Sequence, residues 1–257
     1  MPINKEIVGQ VIDQSSGVLE KAYDDLAHPT AKSVGNTLSL IPRTIGVWLG
    51  KWEKWVINGE ESIRLTAQAV QDKASQIPEE KLTEPEPYVA VPTIQQLSYC
   101  YDSEELRDMY ANLLVSSMNS DTKWMVHPSF VDIIKQLTPD EAKLLRFFSK
   151  QTRIPSVDVK VVLTTGTGGF AILKSNCVVL PEGVVENRSN VSMYIDNLVR
   201  QKLIDIPYGI FYKDETAYEA VENQEKLADP VDGRIEFNRK ILEVTSFGKQ
   251  FVNICLP

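Results

Sequence analysis

The 257-residue sequence has few cysteines and almost no histidine, which limits the sites that it can build. Cys100, Cys177 and Cys255 are far apart and include no CxxC pair. We therefore expect free thiols in a reducing cytosol and no disulfide framework. His28 and His127 each precede a proline and have no ligand at HxxxH spacing, which argues against a zinc site. We predict no metal and no cofactor.

Long apolar runs and a leader-like start are also lacking. No window approaches the roughly eighteen uninterrupted apolar residues typical of a membrane-spanning helix. The first residues, MPINKE, show no basic segment followed by an apolar one, so a signal peptide is not predicted. We expect a cytoplasmic chain, with peripheral contact to the inner membrane as an open alternative.

The sequence has fewer basic than acidic residues: 27 Lys and Arg against 35 Asp and Glu, which gives a net charge of −8. Such a surface does not attract nucleic acid or anionic membrane as a whole. The hydrophobic share of 43% and the charged share of 24% are typical of a soluble globular protein.

The familiar catalytic motifs are missing or incomplete. No GxSxG nucleophile elbow is present. The glycine-rich run 165–169 lacks the lysine of a phosphate-binding loop and precedes a strand-like segment, which favours a hairpin tip. Asp140, Asp158 and Lys160 match the PD…(D/E)xK pattern in which carboxylates bind a divalent cation. Asp140 also lies where a carboxylate stabilises a helix start. A metal-dependent nuclease is thus a weak alternative, and we lean towards no enzyme.

Hydrophobic periodicity divides the chain into four parts. Apolar residues at helical spacing predict an N-terminal helical region over residues 1–76 and a central helical region over 93–150. Proline and glutamate are concentrated in 77–92, which is typical of a linker or an extended surface crossing. Capping-box spacing predicts helix starts at residues 102–105 and 138–141.

The remaining part, 151–257, changes to α+β character. β-branched residues on both sides of the glycine-rich run predict a hairpin of strands 157–163 and 170–180. A helix from 191 to about 203, strands over 204–212 and 235–244, and a capped terminal helix after Thr245 follow. This order is compatible with a winged-helix-like module, although other small α+β folds give the same pattern. The predicted fold class is therefore mainly α with a smaller α+β part.

A basic, aromatic segment lies within residues 32–56, although the chain is acidic. Its tryptophans recur at helical spacing on one face. A basic amphipathic aromatic helix can lie at a membrane surface. Aromatic residues also pack in cores and protein interfaces, which is the interpretation we favour. The interaction or membrane-surface candidates are Arg43, Trp48, Lys51, Trp52, Lys54 and Trp55.

A winged-helix-like module raises the question of DNA. Arg188, Arg200 and Lys202 lie on or beside its candidate recognition helix. The residues of the predicted wing are mostly acidic and should repel a duplex. We therefore do not expect DNA as the partner and favour protein–protein contact. The acidic wing residues are Asp205, Asp214, Glu215, Glu219, Glu222 and Glu225.

Five blocks of sequence form one recognisable set: residues 41–43 (IPR), 92–97 (PTIQQL), 102–114 (DSEELRDMYANLL), 127–130 (HPSF) and 137–142 (LTPDEA). Together they resemble the bacterial Abi-alpha family, which is named for abortive infection and is otherwise a domain of unknown function. The resemblance covers residues 30–250, and its central blocks are the most specific. It implies a bacterial phage-defence role, and it carries no agreed catalytic residues to assign here.

Three hypotheses follow from the residues and the resemblance. The favoured one is a non-enzymatic phage-defence protein that acts through a protein partner or a homo-oligomer. The second is a membrane-acting effector that uses residues 32–56. The third is a metal-dependent nuclease that uses Asp140, Asp158 and Lys160.

Overall fold

A computed structural model describes residues 60–97, 100, 103–166 and 168–257, and all of them belong to one compact unit. The predicted tryptophan-rich segment 32–56 lies outside the described residues. So does Asp102, the first residue of the predicted capping box at 102–105.

Helices dominate the first part of the described chain. Val70 and Ala74, at helical spacing, are buried on the first of them. The helices are α1 (Glu60–Ala74), α2 (Pro87–Leu97), α3 (Glu104–Ser117), α4 (Ser129–Lys135) and α5 (Pro139–Ser149).

Local side-chain bonds define two of these helix starts. Ser103 caps α3 because its hydroxyl accepts a hydrogen bond from the backbone N–H of Leu106 at 3.3 Å. Thr138 and Glu141 form a reciprocal capping box on α5, with N–H to oxygen distances of 3.2 and 2.6 Å. The capping box predicted at 138–141 is confirmed. A helix also starts within 102–105, with Ser103 as its cap, whereas the predicted box at 102–105 would begin at Asp102.

The segment 77–92, predicted as a linker or extended crossing, is helical in its second half, where α2 begins at Pro87. A proline suits the first helical position because its missing N–H would have no partner there. Pro92 lies inside the helix at a cost. Burial of Val89, Ile94 and Leu97 offsets that cost. The extended-crossing interpretation is therefore wrong for residues 87–92.

The second part of the chain builds a four-stranded antiparallel sheet in the order β2-β1-β4-β3. The predicted hairpin, the helix at 191, the strand over 235–244 and the capped terminal helix are confirmed, but the second hairpin strand, predicted to residue 180, ends at Cys177, and the helix, predicted to about 203, ends at Arg200. The elements are β1 (Ile154–Leu163), β2 (Phe170–Cys177), α6 (Val191–Arg200), β3 (Ile204–Asp205), α7 (Glu219–Gln224), β4 (Gly233–Val244) and α8 (Ser246–Cys255).

The predicted strand 204–212 is wrong beyond Asp205. Only Ile204 and Asp205 pair with β4. Pro207 then removes a backbone donor that a strand would need. Gly209 follows with φ +71°, and the N–H of Ile210 bonds the carbonyl of Pro207 at 3.3 Å. The chain therefore turns out of the sheet.

One hydrophobic core joins the helices of 93–150 to the elements of 151–257. Phe130 of α4 and Phe251 of α8 meet edge to face, with ring centroids 5.2 Å apart. The side-chain amide of Asn112 on α3 also donates to the carbonyl of Cys255 at 3.1 Å. The two regions therefore pack as one body.

Candidate interaction surface

Asp140, the first carboxylate of the nuclease-like pattern, joins the start of α5 to a distant loop. It is only 8% exposed. Its carboxylate accepts bonds from the backbone N–H groups of Glu186 and Asn187 at 2.9 and 3.0 Å, and from the Tyr194 hydroxyl at 3.2 Å. Burial raises the pKa of Asp140, but these bonds and nearby Lys143 outweigh it, so the pKa is lowered. The ionised carboxylate thus has a structural role.

Asp158 and Lys160 point from β1 into a polar network on the sheet. Asp158 accepts from the backbone N–H of Asn176 at 2.9 Å and pairs with the ammonium of Lys240. Lys240 also donates to the side-chain oxygen of Asn176 at 2.7 Å. Lys160 pairs with Glu236 at 3.1 Å. Both residues therefore hold neighbouring strands together.

The structure does not bring the three nuclease-pattern residues to shared partners. Asp140 contacts the loop after β2 and a tyrosine of α6, whereas Asp158 and Lys160 contact β2 and β4. In the part of the chain that the structure describes, no three His, Cys, Asp or Glu side chains are placed to hold a metal ion.

A groove of about 610 Å³ lies between the starts of α3 and α5. Its two basic residues, Arg146 and Lys143, pair with Glu105 at 3.0 Å and with Glu186 at 2.9 Å. Asp108, also on its wall, pairs with Lys73 at 2.9 Å. Both cations of the lining therefore have an acidic partner within the chain, and the further carboxylates of Glu104 and Asp140 leave the groove acidic overall.

Two of the three basic residues that raised the question of DNA are held in hydrogen bonds within the chain. The guanidinium of Arg188 donates to the carbonyl of Leu180 at 2.6 Å. Arg200 donates to the side-chain oxygens of Asn197 and Gln136 at 2.6 and 3.0 Å. Lys202 lies exposed just after α6. On α6 itself the exposed residues are the apolar Met193, the acidic Asp196 and the basic Arg200, so this surface is not predominantly basic.

Several acidic residues of the predicted wing are also neutralised. Arg239 of β4 pairs with Glu222 at 2.7 Å and with Glu215 at 3.0 Å. Glu225 pairs with Lys174 of β2 at 2.7 Å. These pairs fasten the 215–225 segment to the sheet.

The most distinctive exposed feature is an aromatic turn formed by residues 207–211. Tyr208 is fully exposed, Phe211 is 59% exposed and Ile210 is 44% exposed. The turn comes directly after β3, which ends at Asp205. The chain can reverse there because Gly209 adopts a positive φ, a backbone conformation that favours glycine. Its Pro-Tyr-Gly sequence is the signal that could have predicted it.

Buried contacts hold the base of this aromatic turn. The backbone N–H of Tyr212 donates to the hydroxyl of Tyr218 at 2.9 Å, and Tyr218 is fully buried. The hydroxyl of Tyr212 in turn donates to the carbonyl of Arg153 at 3.4 Å. The exposed side chains are therefore presented on an anchored loop.

The candidates Arg43, Trp48, Lys51, Trp52, Lys54 and Trp55 lie outside the described residues. Within the described part of the chain, no helix combines the length and the hydropathy of a membrane span.

Comparison with known proteins gives one family match. The profile of the family described as "Abortive infection alpha" matches residues 58–255. No curated protein matches the sequence. A similar solved structure is that of an uncharacterized protein from the hydrocarbon-degrading marine bacterium Alcanivorax borkumensis SK2. It is 16% identical, with 52% of this chain and 94% of that chain covered and a TM-score of 0.30. This likeness supports no inference about the present chain.

Proposed function

Because the chain belongs to the abortive infection alpha family, we propose that it is a phage-defence protein that binds a protein partner through the aromatic turn. The family name associates the chain with abortive infection, a response of infected bacteria to phage. We add two proposals to this association: the chain binds a protein partner, and its role requires no catalysis by the chain itself.

The exposure of Tyr208, Phe211 and Ile210 carries this proposal. Aromatic residues dominate the binding energy of protein interfaces. Full burial of one large apolar side chain contributes about 1.5–3 kcal/mol. Anchoring through Tyr212 and Tyr218 lowers the entropy cost of binding, because the loop is ordered beforehand.

A winged-helix-like interpretation of the C-terminal module fits the order α6, β3, β4. In that interpretation the aromatic turn belongs to the wing, between β3 and β4. Contact with protein is favoured over contact with DNA because Met193 and Asp196 are exposed on α6, and because Arg188 and Arg200 are bonded within the chain.

The placement of the nuclease-pattern residues supports a non-enzymatic role. Asp140 joins α5 to the 186–187 loop, and Asp158 and Lys160 join strands. Each of these side chains therefore has a structural reason to be present.

The proposal is tested by phage challenge of bacteria that express the full chain. The double variant Tyr208→Ser/Phe211→Ser removes the two aromatic rings of the turn. We expect wild-type cells to reduce plaque formation and the double variant to lose that protection. Loss of one such contact weakens binding by about tenfold or more.

A matched control removes two exposed aromatic residues elsewhere, in the double variant Tyr88→Ser/Trp124→Ser. This control should protect as the wild type does, with all three proteins present at equal abundance and with equal Tm. Full protection by the turn variant would overturn the proposed contact surface.

A further inference from the structure

We propose that two copies of this chain form a dimer by antiparallel pairing of their β2 edge strands, with the two-fold axis at Ala171. This dimer goes beyond the proposed function and rests on a different surface from the aromatic turn. The observations that carry it are the exposure of β2, the direction of its free backbone groups and the absence of charge along its paired stretch.

The strand β2 is the outermost strand of the sheet, and within the described residues no strand pairs with its outer edge. The residues from Phe170 to Ser175 are all exposed. Phe170 is 67% exposed and Ile172 is 45% exposed. Soluble proteins usually protect such an edge with charges, prolines or a covering element.

The register with β1 shows which backbone groups of β2 are free. Leu163 donates its N–H to the carbonyl of Gly169 at 2.9 Å. Bonded and non-bonded residues alternate along an antiparallel ladder. Ala171, opposite Val161, therefore also bonds to β1. The N–H and C=O groups of Phe170 and Ile172 consequently point away from β1, towards solvent.

A second copy supplies a matching set of groups. With Ala171 on the two-fold axis, Phe170 lies opposite Ile172 of the second copy, and each exchanges both free backbone bonds with the other. Both apolar side chains then meet their counterparts on one face of the joined sheet. The pairing turns two four-stranded sheets into one continuous sheet.

Charge and strand geometry favour a second copy as the occupant. The stretch from Phe170 to Leu173 carries no charge, so two copies do not repel each other there. Lys174, the first charge beyond it, is paired with Glu225 of its own chain. The free backbone groups of Phe170 and Ile172 lie symmetrically about Ala171, so the same stretch of a second copy presents the matching groups. The register of β1 and β2 shifts after Ile172, which limits regular pairing to this short stretch.

The short paired stretch sets the strength of the dimer. Because regular pairing extends over only a few residues of each copy, we expect the association to be weaker than that of a standard interface of about 1,200 Å² and to depend on concentration. Sedimentation of the full chain from micromolar to submillimolar concentration should show the mass rise from 28.9 kDa towards twice that value. A monomer at every concentration would overturn the proposal.

The variant Ile172→Pro separates edge pairing from folding. It removes an N–H that points to solvent and leaves the bonds between β1 and β2 in place. We expect this variant to stay monomeric with a nearly unchanged Tm. The variant Tyr208→Ser, which changes an exposed side chain outside β2, should still dimerise. A dimer that survives Ile172→Pro would contradict the edge pairing.

Cross-linking tests the register and does not depend on how Ile172→Pro folds. Residues facing each other at the two-fold axis have Cα atoms about 4.5 Å apart, which is within the range for a disulfide. Mild oxidation should therefore link the Ala171→Cys variant into a covalent dimer. The exposed Ser175→Cys variant and the wild type, with its three native cysteines, should stay unlinked. Equal linking at both positions would overturn the register.

Discussion

The buried carboxylate of Asp140 offers the sharpest test of the fold. It accepts two backbone N–H groups from the 186–187 loop and the hydroxyl of Tyr194. Asp140→Ala removes the acceptor that these donors share. The buried Tyr194 hydroxyl then loses a partner, at a cost of about 1–3 kcal/mol, whereas Glu186 and Asn187 are exposed and their N–H groups can bond water at a smaller cost. We expect the free energy of unfolding to fall by about 2–3 kcal/mol in total.

Asp140→Asn keeps the shape of the side chain and removes its charge. Hydrogen bonds to a charged group contribute about 1.5–3 kcal/mol, roughly twice the value for neutral partners. The amide also places a donor where the carboxylate accepted. We expect a loss of about 2 kcal/mol at neutral pH.

The pH dependence of this loss follows from the lowered pKa of Asp140. An aspartate has a pKa of about 3.9 in the unfolded chain. The folded state favours the ionised carboxylate, so Asp140 makes its full contribution to the free energy of unfolding at pH values well above about 3.9. The contribution decreases as the pH falls below about 4 and ends below the lowered pKa. The stability difference between wild type and Asp140→Asn should therefore be constant from neutral pH to about pH 5 and shrink below pH 4.

Urea unfolding followed by far-UV circular dichroism measures these differences. Asp132→Asn, an exposed change on α4, is the matched control and should alter stability by less than about 0.5 kcal/mol. If Asp140→Asn were as stable as the wild type at neutral pH, or if its deficit stayed constant down to pH 3, the proposed role of the charge would be refuted.

Two further changes test the packing of the sheet by thermal unfolding. Gly248→Ala should lower the free energy of unfolding by about 3 kcal/mol, because the new Cβ would overlap the carbonyl of Leu203. Lys249→Ala, its exposed neighbour, should have little effect, and equal Tm values for both would contradict this packing. Lys240→Met should cost about 2 kcal/mol, because it leaves the half-buried Asp158 without its cation. An unchanged Tm would show that the network adds nothing.

Local signals explain why much of the fold was predictable. Ser103, Thr138 and Thr245 each cap the helix that follows them, because a hydroxyl needs only N–H groups two or three residues away. The hairpin was predictable for a similar reason, since β-branched runs flank a glycine-rich turn. Helix α2 was missed because prolines read as helix breakers, whereas the burial that stabilises it depends on distant elements.

Long-range contacts and the exposed surfaces were harder to predict. The backbone of Glu186, which donates to Asp140, lies 46 residues further along the chain, and no local sequence pattern indicates such a contact. The aromatic turn was hidden because residues 204–212 are rich in β-formers. Only Pro207 and Gly209 indicate where the strand must end. The edge of β2 became visible only when the strand order was known.

Infection of cells at high phage multiplicity tests the central claim of a phage-defence role most directly. Cultures that express the chain, and cultures with an empty vector, are followed by density after a challenge that infects nearly every cell. We predict that expressing cultures arrest or collapse early and release few phage, while the same cells resist a challenge at low multiplicity. Phage release equal to that of the vector control, across a broad phage panel, would contradict the account.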